Sequence, residues 1–158
     1  MLTGNPMAMR RTSRRSRGVM LIEALVAILI FSVGILAVVG MQSVAIRNVT
    51  DAKLRSDAAF LAGELLSQMW ADTPNLAAYA YAGSGAPPAR IDGWVTRVAQ
   101  RLPGTTGTGS VPPIVVITAD ATLGTIVQIT VRWRMPEEAA TGAAAHQHLV
   151  LATVNVNP

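Results

Sequence analysis

The chain has 158 residues, no cysteine and a formal charge of +4, from 13 basic and 9 acidic side chains. Five arginines (Arg10, Arg11, Arg14, Arg15 and Arg17) precede Gly18, and without them 8 basic residues face 9 acidic ones. That balance argues against a basic nucleic-acid-binding body, and the missing thiols exclude a disulfide framework, so any folded domain must hold by packing alone.

The first element is the run Arg14-Arg15-Ser16-Arg17-Gly18-Val19-Met20-Leu21-Ile22-Glu23. From Val19 to Met41 the sequence is apolar apart from small polar residues, and Glu23 is its only ionisable side chain. A run of this length predicts a transmembrane helix. A carboxylate inside one costs about 2.5–3.5 kcal/mol on insertion scales, which marks Glu23 as a functional residue with a partner. The arginines abut the apolar run, so that side stays cytoplasmic and the rest of the chain is exported. Two other readings stand beside this one. An ordinary secretory signal would have an apolar region of about 7–15 residues and a small-x-small cleavage site, against the longer run and its carboxylate. An uncleaved single-pass anchor fits the same hydropathy. Met7 and Met9 are alternative starts that keep all five arginines.

Beyond Met41 the residues turn polar, with no proline before Pro74. Leu54, Ala58, Leu61, Leu65 and Met69 recur at spacings of 4, 3, 4 and 4, the period of one buried helical face. Lys53, Arg55, Glu64 and Gln68 fall off that stripe. Asp72-Thr73-Pro74 is the stop, because proline disfavours helix in the residue before it. One helix is therefore expected over about 19–70, greasy all round in its first half and amphipathic in its second. Gly34 and Gly40 interrupt the apolar half, either as weak points in the helix or as glycines ordinary to membrane helices.

Residues 74–88 are rich in Ala, Gly, Pro and Tyr and read as a surface connection with room for a short helical turn; Tyr79 and Tyr81 either form a contact patch or, the favoured reading, pack beneath it. Asp92 is placed as the cap of a short helix carrying Trp94, Val98 and Leu102 on one face. Pro103-Gly104 ends it, and 104–113 reads as flexible loop. The last third is β: a short branched run at 114–118, a turn at 120–124, a strand over 125–135 with Val127, Ile129, Val131, Trp133 and Met135 alternating onto one face, a loop over 136–145, and a strand over 148–154. Period-two alternation predicts a half-buried antiparallel sheet of three or four strands. The stripe from Leu54 to Met69 is its expected cover, giving an α+β fold with one soluble domain of about 115 residues, enough for a single modest core.

The order of these elements and their motifs resembles type IV prepilins, and most closely the PilV-type minor pilins. The resemblance lies in the boundary of a basic leader, Gly18 and an acid at Glu23, followed by Leu21-Ile22-Glu23-Ala24-Leu25-Val26-Ala27. It continues through Leu54-Arg55-Ser56-Asp57-Ala58-Ala59-Phe60-Leu61-Ala62 and Leu65-Leu66-Ser67-Gln68-Met69-Trp70-Ala71-Asp72. Trp94 ahead of Leu102-Pro103-Gly104, and the late Val131-Arg132-Trp133, extend it; it is most specific over residues 14–72 and weaker over 92–135. It implies a type IV pilin fold divided into a cleaved leader (1–18), a transmembrane or filament-core helix half (19–41) and a periplasmic head (42–158). It implies cleavage between Gly18 and Val19 by the prepilin peptidase/methyltransferase, N-methylation of Val19, and an assembly role for Glu23. Many mature pilins begin with phenylalanine, whereas this chain has Val19. In major pilins a proline often follows the acid by seventeen residues; Gly40 stands at that spacing.

The implied location is the inner membrane, single-pass with the head in the periplasm, and then an extracellular pilus. The implied partners are other minor and major pilins, the processing enzyme, an inner-membrane assembly platform and membrane lipid, and not nucleic acid. The implied role is that of a minor pilin that primes or joins the filament and affects assembly, twitching motility and adhesion. A minor pseudopilin of a type II secretion system and a filament-displayed adhesin are the alternatives. Nothing in the sequence marks a catalytic centre, a cofactor site or a metal site: no glycine-rich phosphate loop follows a strand and no Ser/His/Asp set has local support. His146 and His148 share a strand face, but no Cys, Asp or Glu lies within four residues of them, and they read as a solvated strand start.

Overall fold

Helix α1 runs unbroken over Arg15–Ala71, because nothing between the arginines and Pro74 opposes it. The computed structural model describes residues 15–120, 122 and 124–154; the leader residues before Arg15, including Arg10, Arg11 and Arg14, lie outside them, as do Ala121 and Leu123 of the expected turn. The described helix already includes Arg15, four residues before the start that hydropathy suggested, and it stops where Asp72-Thr73-Pro74 required. Chain contacts divide the protein into two units, Met1–Asn48 and Val49–Pro158.

In the first unit, every residue from Gly18 to Asn48 is solvent-exposed on helix α1.

The second unit holds the core. The stripe Leu54, Ala58, Leu61, Leu65 and Met69 is buried, joined by Ala62. Fully burying one leucine contributes about 1.5–3 kcal/mol relative to leaving it exposed, so the three leucines of this face are a large part of what holds the head together. After α1 comes a short 3-10 helix, Thr73–Tyr79, inside the segment read as a connection. Leu76, Tyr79 and Tyr81 point into the core, and Tyr81 forms an isolated antiparallel bridge with Val115.

Helix α2 covers Asp92–Arg101 and buries Trp94, Val98 and Leu102 as the spacing required. Asp92 is not its cap. The N-cap is Ile91, with no side-chain cap bond, and Asp92 lies in the first turn. There its carboxylate still faces the positive end of the helix dipole. Several long-range contacts lock α2 onto α1: Trp94 Nε1 donates to the Leu61 carbonyl at 2.8 Å, Arg97 Nη2 donates to Glu64 Oε1 at 2.6 Å, and Arg101 pairs with Asp57 at 3.9 Å and lies over the Phe60 ring. The Trp94 bond satisfies the one polar atom of a buried indole.

The sheet is an antiparallel meander, β1 (Ile114–Asp120), β2 (Gly124–Trp133) and β3 (His146–Val154), in spatial order β1-β2-β3. The rows Val115–Ile129–Val150 and Ile117–Val127–Ala152 lie on the face turned to the helices. The architecture is α+β, with the amphipathic half of a long N-terminal helix packed on a small antiparallel sheet, as the resemblance implies. Boundaries differ from the sequence reading. Strand β1 extends to Asp120, β2 stops at Trp133 and β3 starts two residues early at His146.

Two stretches read as loop are more ordered than expected. Residues 136–145 contain a short helix α3, Pro136–Thr141. Pro136 opens it, the Glu138 carboxylate accepts from the Met135 N–H at 2.9 Å, and Gly142 closes it at φ 69°. This is the asymmetry of proline just inside a helix start and glycine just past its end. The segment 104–113 has no regular structure but is pinned. Val111 N donates to the Gly104 carbonyl, Arg134 N to the Pro103 carbonyl, and the Arg132 guanidinium to the Pro112 carbonyl at 2.6 and 3.0 Å. Thr105 and Val111 are buried.

Gly104 is the position that permits this docking. Its φ is +71°, and a Cβ placed there would lie 2.7 Å from the Arg134 carbonyl oxygen. Gly104→Ala combines a left-handed conformation, which costs a non-glycine residue about 1–3 kcal/mol, with a backbone clash that no rotamer relieves. The expected result is a loss of at least about 1–3 kcal/mol in denaturant unfolding, while Gly107→Ala, with open space around it, shows only the conformational part.

Candidate functional site

The residues singled out by the sequence, Gly18, Val19 and Glu23, all stand on the first turns of α1 and all are exposed. Glu23 is four residues after Val19, one helical turn on. Around it the helix presents Leu21, Ile22, Leu25, Val26 and further large apolar side chains, each about half to three-quarters exposed. A contiguous apolar surface of this extent is not left in water by a soluble protein. It calls for lipid or for other apolar helices. Among the described residues there is one stretch long and apolar enough to cross a membrane, and it begins at Gly18.

Gly34 and Gly40 sit inside this surface. A Cβ at either would meet nothing within 4 Å, so no contact within the chain requires glycine there, and the helix runs through both without a break. Ser32 returns its hydroxyl to the Ile28 carbonyl at 2.7 Å, which hides a polar group that an apolar setting would penalise.

The head carries two polar clusters. Asp72, just past the end of α1, receives Asn75 Nδ2 at 2.7 Å, the Tyr79 hydroxyl at 3.0 Å and the Arg90 guanidinium. The Asn75 hydrogen bond first, with Tyr79 and Arg90 adding to it, holds the Asp72 carboxyl below its ordinary value. Burial, and then the hydrogen bond to Asp72, push the Tyr79 phenol up. Arg90 also lies over the Tyr79 ring. The cluster clamps the end of α1 to the chain that follows.

The second cluster corrects the reading of the histidines as solvated. His146 Nε2 lies 2.7 Å from Glu138 Oε1, and its ring stacks on Trp133 with centroids 5.6 Å apart. His146 and His148 are half-buried. The partner carboxylate is eight residues upstream, on α3, outside the window in which the sequence shows none. Among the described residues no three His, Asp or Glu side chains converge as a metal-binding group. The cluster fastens α3 to the start of β3.

The His146 hydrogen bond first, and the Met135 N–H second, hold the Glu138 carboxyl below its ordinary value. A carboxylate with a lowered folded-state pKa contributes stability that is complete above its unfolded pKa, about 4.3, and lost as pH falls through the folded value. Helix α3 should therefore stay docked at neutral pH and loosen on acidification below the ordinary carboxylate range. The Met135 amide chemical shift, followed by NMR from neutral to strongly acidic pH, should report that step, and Glu138→Gln should abolish it. A Met135 amide that titrates identically in the variant would assign the step elsewhere.

No protein-family model, no curated protein and no solved structure matches this chain.

Proposed function

We propose that this chain is a minor pilin of a type IV pilus, made as a precursor, cut between Gly18 and Val19, held in the inner membrane by residues 19–41 with its head in the periplasm, and then drawn into a filament. The observation that carries the reading is the junction at Gly18. A basic leader meets an entirely exposed apolar helix whose single charge, Glu23, stands one turn beyond the new N-terminus. A membrane anchor has no use for that charge. A subunit that packs against copies and relatives of itself does, because the new α-amino group on Val19 of one subunit can pair with Glu23 of the next.

Buried apolar helices associate without direction, and a charge pair in a low-dielectric setting adds register. On this reading the role is structural rather than enzymatic. The partners are other pilins, the prepilin peptidase/methyltransferase and the assembly platform. The head, which has a core of its own, is the part displayed to the outside.

Intact-mass and N-terminal peptide mass spectrometry of the membrane-extracted protein tests this. The expected product starts at Val19, with one methyl group on its amine. A product cut after a small-x-small site, or a protein retaining its arginines, would overturn the reading in favour of a secretory signal or a plain anchor.

A further inference from the structure

Among the described residues, strand β3 is an open edge of the sheet. Its neighbour on one side is β2, and among the described residues no other backbone hydrogen bond engages it. The opposite edge is different, since Tyr81 exchanges both backbone bonds with Val115 of β1, at 2.8 and 2.9 Å. Exposed edges are normally blunted by lysine, proline, bulges or shortness. Strand β3 has none of these: it is nine residues long, His-Gln-His-Leu-Val-Leu-Ala-Thr-Val, without charge or proline, and pairs with β2 one residue to one from His146 to Val154. Its solvent face carries Leu149 and Leu151, 53% and 66% exposed.

We propose that β3 pairs edge to edge with β3 of a second copy of this chain, antiparallel about a two-fold axis through Val150. The pattern itself selects this occupant and this register. Antiparallel self-pairing centred on Val150 sets Leu149 opposite Leu151 twice, so four exposed leucines close into one apolar patch on the outer face. Gln147 falls opposite Thr153 on the same face, and Val150 meets its own copy on the inner one. Cross-strand apolar pairs are the stabilising unit of a sheet, and a two-fold interface must be complementary to itself. Moving the centre by one residue in either direction leaves one Leu–Leu pair in place of two. The product is a continuous six-stranded sheet. The pairing is a narrow strip, below the area of a standard stable interface, so it forms a reversible dimer. The two-fold axis stands normal to the sheet, so the α1 halves packed on the two sheets run in opposite directions, and the pairing joins heads carried on separate membranes or filaments rather than neighbours in one.

The chain has no cysteine, which makes the register directly testable. Full-length Gln147→Cys and Thr153→Cys proteins, distinguishable by an affinity tag, are purified in detergent, mixed and oxidised. Both positions are exposed. The proposal expects a mixed disulfide dimer at least about fivefold above the self-dimer of either variant alone, because residue 147 lies six positions, about 20 Å along the strand, from its own copy. Equal yields in all three samples, or no mixed dimer, overturn it, and association through the apolar helix alone would give the former.

A charge swap gives the second readout. In the cysteine background, Leu149→Lys with Leu151→Lys sets like charges opposite each other and should abolish the mixed dimer. Leu149→Lys with Leu151→Glu sets opposite charges face to face and should restore it. Loss in both, with tryptophan fluorescence showing folded heads, would overturn the register even if a dimer exists.

Discussion

Leu61→Ala and Leu65→Ala are each expected to destabilise the head by about 2–5 kcal/mol, the range for truncating a buried leucine and leaving a cavity. Both side chains are fully buried, at 0% exposure, in the face of α1 that meets α2 and the sheet. Leu61 has a second tie, because its carbonyl accepts the Trp94 indole N–H, so a shift of this helical turn also strains that bond. Domains of this size have about 5–15 kcal/mol of total stability, and one such change removes a large share of it. Urea unfolding of the full chain in detergent, followed by the fluorescence of the buried Trp94 and Trp133, measures the loss. Phe60→Ala, on the exposed side of the same helix, serves as the control and should cost far less. Destabilisation below about 0.5 kcal/mol at both leucines would mean that the stripe does not carry the core.

If the proposed pilin role holds, Glu23→Ala is expected to leave cleavage intact and to remove the protein from filaments. The carboxylate lies beyond the bond after Gly18, so the leader presented to the peptidase is unchanged. Alanine even relieves part of the roughly 2.5–3.5 kcal/mol that an acid costs at the centre of a bilayer, so the processed variant should accumulate in the inner membrane. What it loses is the partner for a neighbour's α-amino group. An interaction of that kind is strong in low dielectric, and deleting one member strands the other as a buried charge, at a cost of about 3–5 kcal/mol. Quantifying processed subunit in membrane and sheared-filament fractions beside the wild type checks this. Equal incorporation of the variant would remove Glu23 from the assembly mechanism.

Both expected results rest on features that are local in the chain, which is why they could be read before any fold was known. Periodicity survives in sequence when an element is long. The stripe from Leu54 to Met69 repeats over four turns, and the alternation from Val127 to Trp133 covers most of β2, so each announces its buried face. Stops are local too: Asp72-Thr73-Pro74 ends α1 through a clash between adjacent residues. Helix α3 shows the limit. Its signals, Pro136, Glu138 and Gly142, are all present, but six residues are too few for a helical period to stand out from a polar loop. Asp92 shows another. Several residues before a helix can serve as its cap on paper, and only the backbone path decides which one leaves helical geometry first.

What the sequence by itself determined is the division of this protein into an all-round apolar helix with one acid and an amphipathic helix with a β-meander behind it. Those properties follow from hydropathy and period, which need no knowledge of what lies across the core. The tertiary structure alone decided the contacts between residues far apart: Trp94 on Leu61, Arg132 on Pro112, Gly104 beneath Arg134, and His146 between Glu138 and Trp133. Each depends on two segments arriving at one place with compatible geometry, and no spacing within either segment encodes that meeting. The same holds for the edge of β3, whose sequence is plain in the chain but whose exposure exists only because, among the described residues, the sheet ends there.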